Sequence, residues 1–256
     1  MAPKRTKAEI RQEKLLELLK QHKQLSVREM LSRLDCSEAT VRRDLDALAE
    51  TGQIIRTIGG ARYNDPLPGI SFHSKERFKW EEKEWIADKA SALVNPGDVI
   101  GLTGGTTTFL IARAVKSLND LTVVTNAVNI AMELAENNSI QVVLTGGVMN
   151  NRTFELAGPL AEEKLNQLYI GKMFIGIDGI HAEAGLSTHS ELEARMAKMM
   201  MKRSEQTIAV FDDSKIDKCS LFPISPLSAV DAVVCNKPLS EQLTAACKQL
   251  NIDIYY

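Results

Sequence analysis

Hydrophobic residues recur at helical spacing near the start of the chain and form short continuous runs further along. The positions with helical spacing are Ile10, Leu15, Leu18 and Leu19, followed by Val41, Leu45 and Leu48. Apolar residues three or four apart lie on one face of a helix, so they predict one helix over residues 8–21 and another after Ser37. Both helices therefore bury one face and expose the other.

Capping residues mark the beginnings of two helices ahead of a strand and a turn. Ser26 begins a capping box with the glutamate three residues later, and Ser37 is suited to cap the next helix. Residues 53–58 are strand-like and are followed by Gly59 and Gly60, which favour a tight turn. Two capped helices followed by a strand and a turn predict a winged helix-turn-helix.

From residue 98 onward, short apolar runs alternate with segments of helical spacing. The runs are residues 99–102, 121–124, 140–144, 173–177, 207–211 and 232–234, and 252–255 could add a last strand. Helices are predicted at residues 108–118, 127–136, 191–202 and 239–250. Strands that alternate with helices predict an α/β domain whose largely parallel sheet is covered on both faces.

A turn-rich segment divides the chain into two parts. Residues 64–69 contain an Asn-Asp pair, two prolines and a glycine, and this composition favours turns. We expect a winged helix-turn-helix domain at residues 1–63, a linker at 64–74 and a larger α/β domain at 75–256. Residues 72–93 are charged and helical, and this segment could pack on either domain and couple the two.

Charge is distributed unevenly between the two predicted domains. Residues 1–63 contain 13 Lys and Arg against 9 Asp and Glu, whereas the whole chain contains 31 against 33. A basic module on an acidic body is expected when only one end of a protein meets the phosphates of DNA. The alternative, in which Arg42 and Arg43 merely solvate an exposed helix face, does not explain this asymmetry.

Composition argues against several other classes of protein. With 256 residues and 44% hydrophobic residues, the chain can bury a sizeable core. No apolar run reaches the length of about 18 residues that a membrane span needs. The four cysteines form no Cys-x-x-Cys pair and the four histidines are scattered, so neither a zinc site nor a disulfide framework is indicated. We expect a cytoplasmic protein with no membrane partner, metal or cofactor.

The exposed face of the helix after residue 37 carries the candidate DNA-reading residues. They are Ser37, Glu38, Ala39, Thr40, Arg42 and Arg43, at the end that a recognition helix presents to the major groove. Arg56 in the strand and Arg62 beyond the turn are candidate phosphate contacts of the wing. The expected partner is a double-stranded DNA operator.

Small and polar residues follow several of the predicted strands. They are Thr103, Gly104, Gly105, Thr106, Thr107 and Thr108 after one strand, and Thr125, Asn126, Gly147, Asp213 and Lys215 after others. Glycines, hydroxyls and a helix N-terminus suit an anion, and the carboxyl ends of parallel strands meet at one edge of a sheet. Each segment alone could be an ordinary strand-to-helix turn. Together they predict a pocket for a phosphorylated small molecule, although no nucleotide P-loop is present.

These motifs together resemble the DeoR family of bacterial transcriptional regulators. The likeness rests on residues 37–45, Gly59-Gly60-Ala61, Glu82-Lys83, Gly104-Gly105-Thr106-Thr107, Val124-Thr125-Asn126, Gly146-Gly147, Gly176-Ile177-Asp178-Gly179 and Ser214-Lys215. It covers nearly the whole chain in family order. Residues 185–195 resemble the branch of the family that controls amino-sugar and hexose use.

The resemblance implies a sensor domain similar to ribose-5-phosphate isomerases and CoA transferases. By this likeness, residues 106–108 and Lys215 would hold a phosphate group, while Asp178 and its neighbours would meet the sugar. Gly179 and Glu193 complete the candidate effector site. The function implied is a repressor of a carbohydrate-use operon that responds to a sugar phosphate and acts as a homo-oligomer, either a dimer or a tetramer.

Two other functions compete with this interpretation. The first is a sugar-phosphate isomerase with an attached DNA-binding domain, which needs a base and a cation beside the sugar. Asp178 has no second aspartate close after it, and residues 183–186 contain no lysine, so we expect no catalytic residues, although Glu191, Glu193 or His189 could act as a base. The second is a structural nucleoid protein, which would not need polar strand ends.

Overall fold

The computed structural model describes residues 6–34, 36–51, 53–63, 71–76 and 78–256. The chain divides into two compact units, residues 1–68 and 69–256. The predicted linker lies outside the described residues from 64 to 70, and residues 72–74 belong to a helix. Among the described residues, no helix combines the length and the apolar character that a membrane span requires.

The first unit is the predicted winged helix-turn-helix. Its elements are α1 Lys7–His22, β1 Gln24–Ser26, α2 Val27–Leu31, α3 Glu38–Glu50, β2 Ile54–Thr57 and β3 Gly60–Tyr63. The three strands pair antiparallel in the order β1-β3-β2. Among the helical apolar positions, Leu15, Leu19, Val41 and Leu45 are fully buried in one core, whereas Ile10 is 45% exposed. The hydrophobic spacing therefore predicted this core correctly except at Ile10.

Two glycines shape the turn between β2 and β3. Gly59 has a φ of +78°, a left-handed conformation that glycine adopts without strain. A Cβ atom on Gly60 would lie 2.3 Å from the Leu25 carbonyl oxygen, so the close approach of β3 to β1 requires glycine there. The Gly-Gly pair thus combines a turn residue with a packing residue.

The second unit is built around a parallel sheet. Its strands are β4 Val99–Leu102, β5 Leu121–Thr125, β6 Ile140–Leu144, β7 Val148–Asn150, β8 Glu155–Ala157, β9 Ile170–Gly176, β10 Gly179–His181, β11 Gly185–Thr188, β12 Ser204–Phe211, β13 Phe222–Ser225, β14 Ala232–Cys235 and β15 Asp253–Tyr255. Within the described residues, the large sheet has the order β15-β14-β12-β9-β4-β5-β6, and all its pairings are parallel. This confirms the predicted α/β fold.

Helices cover both faces of the large sheet. They are α4 Phe72–Glu76, α5 Trp80–Ser91, α6 Thr106–Val115, α7 Val128–Leu134, α8 Pro159–Leu165, α9 Glu191–Lys202 and α10 Glu241–Gln249. Successive strand residues enter different cores: Phe174 packs with α5, α6 and α7, whereas Met173 and Ile175 pack with α8, α9 and α10. Strands that are buried on both faces explain the continuous apolar runs in the sequence.

The structure differs from the sequence-based expectation in several elements, including β1 and α8, which were not predicted. Residues 72–93 do not form one helix: α4 ends at Glu76, and Lys79 precedes α5 with a left-handed φ of +54°. The β7–β8 hairpin and the small sheet β10-β11-β13 were not predicted. All three residues of β7 are exposed, so this strand has no hydrophobic pattern to predict it.

The order of strands reverses between β4 and β9. From β4 the chain adds β5 and β6 on one side, and from β9 it adds β12, β14 and β15 on the other. Ligands of open parallel sheets bind beyond the carboxyl ends of the strands at such a reversal. The segments after Leu102 and Gly176 meet there, and they contain most of the candidate effector residues.

Candidate functional site

The N-terminal end of α3 is capped and exposed, as a DNA-reading helix requires. The Ser37 side chain accepts a hydrogen bond from the backbone N–H of Thr40 at 3.3 Å, and the two hydroxyls lie 2.8 Å apart. Ala39 and Arg43 are exposed and Thr40 is half-buried. The residues predicted to read bases therefore share one accessible end of the helix.

Charges on α3 are arranged differently on its two faces. On the exposed face, Arg42 donates to Glu38 at 2.7 Å, with about half of each side chain exposed. On the inner side, the buried carboxylate of Asp44 pairs with Arg11 at 2.5 Å. The buried pair fixes α3 against α1, whereas the exposed pair is open to competition from phosphate.

The wing brings two arginines to the β2–β3 hairpin. Arg56 forms an ion pair with Asp46 of α3 at 3.2 Å, and its buried Nη1 atom has no hydrogen-bond partner among the described residues. Arg62 is exposed and lies opposite Ile55 of β2 in the hairpin. Arg62 is thus the more accessible of the two predicted phosphate contacts.

Hydrogen bonds join the ends of β4, β5 and β9 into one rigid edge. The Thr103 hydroxyl accepts the N–H of Gly176 at 3.1 Å, and the Asn126 side chain accepts the N–H of Gly104 at 3.2 Å. The Thr125 hydroxyl donates to the Leu102 carbonyl at 2.8 Å. These side chains hold the strand ends together and position the loop that follows β4.

The loop after β4 leads directly into α6. Gly105 precedes the helix with a φ of +128° and supplies no side-chain cap. Thr106, Thr107 and Thr108 form the first turn and are buried. The first backbone N–H groups of a helix lack intrahelical partners and attract anions. This turn is the part of the site best suited to a phosphate group.

Asp178, just beyond β9, lies between two lysines. Its Oδ1 atom is 2.9 Å from the Lys75 ammonium and 3.7 Å from that of Lys215. Burial raises the pKa of Asp178, but the two ammonium groups outweigh this effect and hold the pKa below its ordinary value. Burial lowers the pKa of Lys75, and Asp178 and Glu193 more than offset it. Asp178 is therefore ionised at neutral pH.

Two glutamates, of which Glu155 is buried and Glu193 is half-buried, lie beside this ion pair. The Glu193 carboxyl is 2.9 Å from the Thr188 hydroxyl, and Glu155 accepts a hydrogen bond from the Asn126 amide at 3.3 Å. Burial, together with the charge of Glu193, raises the pKa of Glu155 to about 8. Burial also raises the pKa of Glu193. The site thus combines one ionised carboxylate with two carboxyls whose pKa values are raised.

A second lysine cluster lies near the end of β12. Lys83 is buried and donates to the carbonyl oxygens of Lys75 and Phe78, both at 2.7 Å; burial lowers its pKa to about 8. Asp213 is engaged by Lys79 and by Lys237. Because its carboxylate is already paired, Asp213 is less available to sugar hydroxyls than its sequence position indicated.

The predicted effector residues converge only in part. The loop residues 103–108, Asn126, Asp178, Glu193 and Lys215 share the carboxyl edge of the large sheet, as the contacts above show. Gly147, with a φ of +113°, instead packs against the Ala157 carbonyl in the β7–β8 hairpin, and a Cβ on Gly179 would meet the Lys218 carbonyl at 2.4 Å. Close packing therefore explains why glycine occupies both positions, without any contribution from a ligand.

Sequence reasoning missed three residues of the site. Residues 183–186 supply no lysine, as expected, but Lys75 reaches Asp178 from α4, 103 positions away in the chain. Glu155 enters from the unpredicted hairpin, and Thr188 follows from the unpredicted small sheet. No local motif could have identified any of the three, because each depends on contacts between distant segments.

Comparison with known proteins assigns both units to one family. The model of the DeoR-like helix-turn-helix domain matches residues 11–66, and that of the DeoR C terminal sensor domain matches residues 79–237. The HTH-type transcriptional repressor GlcR of Bacillus subtilis is 31% identical over 87% of this chain and 86% of that protein. The L-fucose operon activator of Haemophilus influenzae is 31% identical, covering 94% of this chain and 97% of that protein.

Solved structures give more distant likenesses. The full-length sorbitol operon regulator SorC from Klebsiella pneumoniae is 12% identical, with a TM-score of 0.39 over 96% of this chain and 99% of that one. A ribose 5-phosphate isomerase from Methanocaldococcus jannaschii is 20% identical, with a TM-score of 0.40 over 54% of each chain. The family models cover both units in order, and the protein belongs to the DeoR family of helix-turn-helix transcriptional regulators.

Proposed function

We propose that this protein represses a carbohydrate-use operon and that a sugar phosphate controls its binding to operator DNA. The observation that carries the proposal is the convergence of the α6 N-terminus with Lys215 and Asp178 at the carboxyl edge of the large sheet, in a chain whose other unit exposes α3. The first turn of α6 and Lys215 would hold the phosphate. Asp178 and Glu193 would accept or donate hydrogen bonds to sugar hydroxyls.

A double variant tests the effector site. Lys215→Ala with Thr107→Val removes one cation and one hydroxyl from the proposed phosphate contacts, so the release of operator DNA by sugar phosphates should be lost. The measurement is a gel-shift titration with a panel of sugar phosphates, and Lys248→Ala on exposed α10 is the control for loss of a positive charge. If the double variant responds like the wild type, the phosphate site lies elsewhere.

The protein is proposed to bind its sugar phosphate without converting it. Isomerisation needs a base beside the C–H bond and a cation to stabilise the enediolate. The site holds such groups, but Lys75 is committed to Asp178 at 2.9 Å, and a regulator gains from leaving its signal unchanged. An NMR time course on each sugar phosphate should show no product. Product formed by the wild type and lost in Asp178→Asn would overturn this part of the proposal.

Binding to DNA is proposed to require a dimer or tetramer. A single winged helix buries too little surface for tight specific binding, and dimers bind half-sites about one helical turn apart. Sedimentation at micromolar concentration should therefore show no monomer, and a single half-site should bind much more weakly than a repeated one. A monomer bound tightly to one half-site would contradict this expectation.

A further inference from the structure

A cavity of about 290 Å³ lies beside the site, between the β7–β8 hairpin and the beginning of α9. Its polar lining includes Glu155 and Glu193, together with Asn150, Thr153 and Ser190. Thr153 is only 8% exposed, and its hydroxyl has no hydrogen-bond partner in the described part of the chain. Buried polar groups without partners are rare in proteins, so this hydroxyl points to a missing ligand or solvent molecule.

The Thr188 hydroxyl lies between the carboxyls of Asp178 and Glu193. The Thr188 hydroxyl lies 3.0 Å from Asp178 Oδ2 and 2.9 Å from Glu193 Oε2. A hydroxyl has a single proton to donate, and Asp178 is the carboxylate paired with lysine. Thr188 can donate this proton fully to only one of the two carboxyls at a time, so its hydroxyl does not by itself satisfy Glu193.

The two glutamates have no cation of their own. None of the ion pairs in the described residues involves Glu155 or Glu193, and the nearest ammonium, that of Lys75, is paired with Asp178. The charged groups that face the two glutamates are each other, Lys75 and Asp178. Glu155 is also fixed in place, because its side chain packs directly over Gly104 in the loop between β4 and α6.

We propose that Glu155 and Glu193 bind the ammonium group of an amino-sugar phosphate. This inference rests on the proposed function and names its ligand class. The phosphate would bind at the first turn of α6, and the ammonium would enter the adjoining cavity. On binding, the ammonium keeps its protons, and the glutamates release theirs to the solvent as they become ionised partners of the cation.

A neutral sugar phosphate gains much less from this arrangement. A buried carboxyl that is protonated for lack of a partner becomes stable as a carboxylate once a cation lies within hydrogen-bond distance. A hydroxyl at the same position offers one neutral hydrogen bond, and an N-acetyl group has no charge. The preference for an amine therefore depends on the two carboxyls and should disappear when they are made permanently neutral.

Calorimetric titration tests the preference directly. The probes are glucosamine 6-phosphate and galactosamine 6-phosphate, each compared with its parent hexose 6-phosphate at pH 7. We expect one of the two amino-sugar phosphates to bind at least tenfold more tightly than its parent hexose phosphate. Proton release on binding should make the measured binding heat depend on the ionisation heat of the buffer. Its advantage should grow from pH 5.5 to pH 7, where the amine stays protonated while the glutamates lose their protons more readily.

Variants assign the preference to the two carboxyls. Glu155→Gln and Glu193→Gln should each reduce the ratio of the two affinities toward one, with folding checked by melting temperature. Glu191→Gln makes the same change of charge on the exposed first residue of α9 and should keep the wild-type ratio. Equal binding of the amine and its parent in the wild type, or a ratio that survives both Gln variants, would overturn the inference.

Operator release in the same samples separates the two proposals. If a parent sugar phosphate binds and releases the operator as well as the amine does, the proposed function stands and the amine inference falls. If the amine binds with the expected preference but leaves the operator bound, the ligand class stands and the regulatory role falls. If no sugar phosphate binds, both proposals are wrong.

Discussion

The two candidate sites hold their charges in opposite ways. On α3, the Arg42–Glu38 pair spans one helical turn, with 51% and 56% of the side chains exposed. At the carboxyl edge of the large sheet, the Lys75–Asp178 pair joins distant segments, and only 26% and 4% of its side chains are exposed. Water screens the first pair strongly and the second very little.

This contrast suits the two proposed ligands. An exposed ion pair contributes little to stability, so an arginine can leave it for a DNA phosphate at low cost. A buried pair is costly to break because it leaves an unpaired charge in a poorly solvated place. The exposed face of α3 is therefore suited to bind many DNA sequences weakly while the protein searches for its operator. The pocket of the second unit is suited only to a ligand that pairs with its fixed charges.

The buried pair should show the largest effect. Lys75→Met leaves Asp178 without its closest cation beside two glutamates, and we expect the second unit to lose about 3 kcal/mol of unfolding free energy. Urea denaturation of the full chain measures this loss. The double variant Lys75→Met/Asp178→Asn should recover much of it. A stability loss below that of an exposed pair would show that the contrast between the two sites is wrong.

The exposed helix should lose function rather than stability. Arg43→Ala and Thr40→Ala each remove a side chain proposed to contact base edges, so operator affinity should fall by about 1–3 kcal/mol with weaker sequence preference. Arg62→Ala removes a phosphate contact and should weaken all DNA alike and flatten the salt dependence. Gel shifts measure the operator affinity and its salt dependence, and Lys248→Ala serves as the control. Unchanged affinity in every variant would refute the assignment of α3.

The same contrast explains how much of each site the sequence could predict. The cap at Ser37, the apolar spacing of α3 and the Gly59-Gly60 turn all lie within one short segment, so local rules predicted these elements, although not the short strand β1. The continuous apolar runs likewise predicted the parallel sheet and its loop at residues 103–108. These features depend on residues that are close in sequence, and the hydrophobic periodicity of a segment is enough to predict them.

The pocket could not be completed in this way. Lys75, Glu155 and Asp178 come from three segments that only the tertiary fold brings together, and the exposed residues of β7 carry no strand pattern. Sequence reasoning named Asp178, Glu193 and Lys215 individually but could not show that Lys75 pairs with the first or that burial raises the pKa of the second. Protonation depends on burial and on partners, which the fold decides.

The two glutamates should also give the pocket a characteristic dependence on pH. The pKa of Glu155 is raised from 4.5 to about 8, so the folded state binds a proton that the unfolded state releases between these values. Unfolding free energy should therefore fall as the pH rises from 4.5 to 8, by at most about 1.4 kcal/mol per pH unit. Glu155→Gln should reduce this slope, whereas Glu191→Gln should not. A slope that is the same in both variants would contradict the protonated state of Glu155.

The smallest effect is expected at the exposed pair of α3. Glu38→Gln removes the partner of Arg42, and pairs of this i,i+4 type contribute about 0.3–0.5 kcal/mol, so the first unit should lose no more than that. The freed guanidinium becomes available to a DNA phosphate. Each added phosphate contact makes the slope of log affinity against log salt concentration steeper by about one. Non-specific DNA affinity should therefore rise while stability barely changes. A loss of stability as large as that of Lys75→Met would mean that the exposed Arg42–Glu38 pair also supports the fold. The distinction between an exposed helix surface whose charges can change partners and a pocket whose charges are fixed would then be wrong.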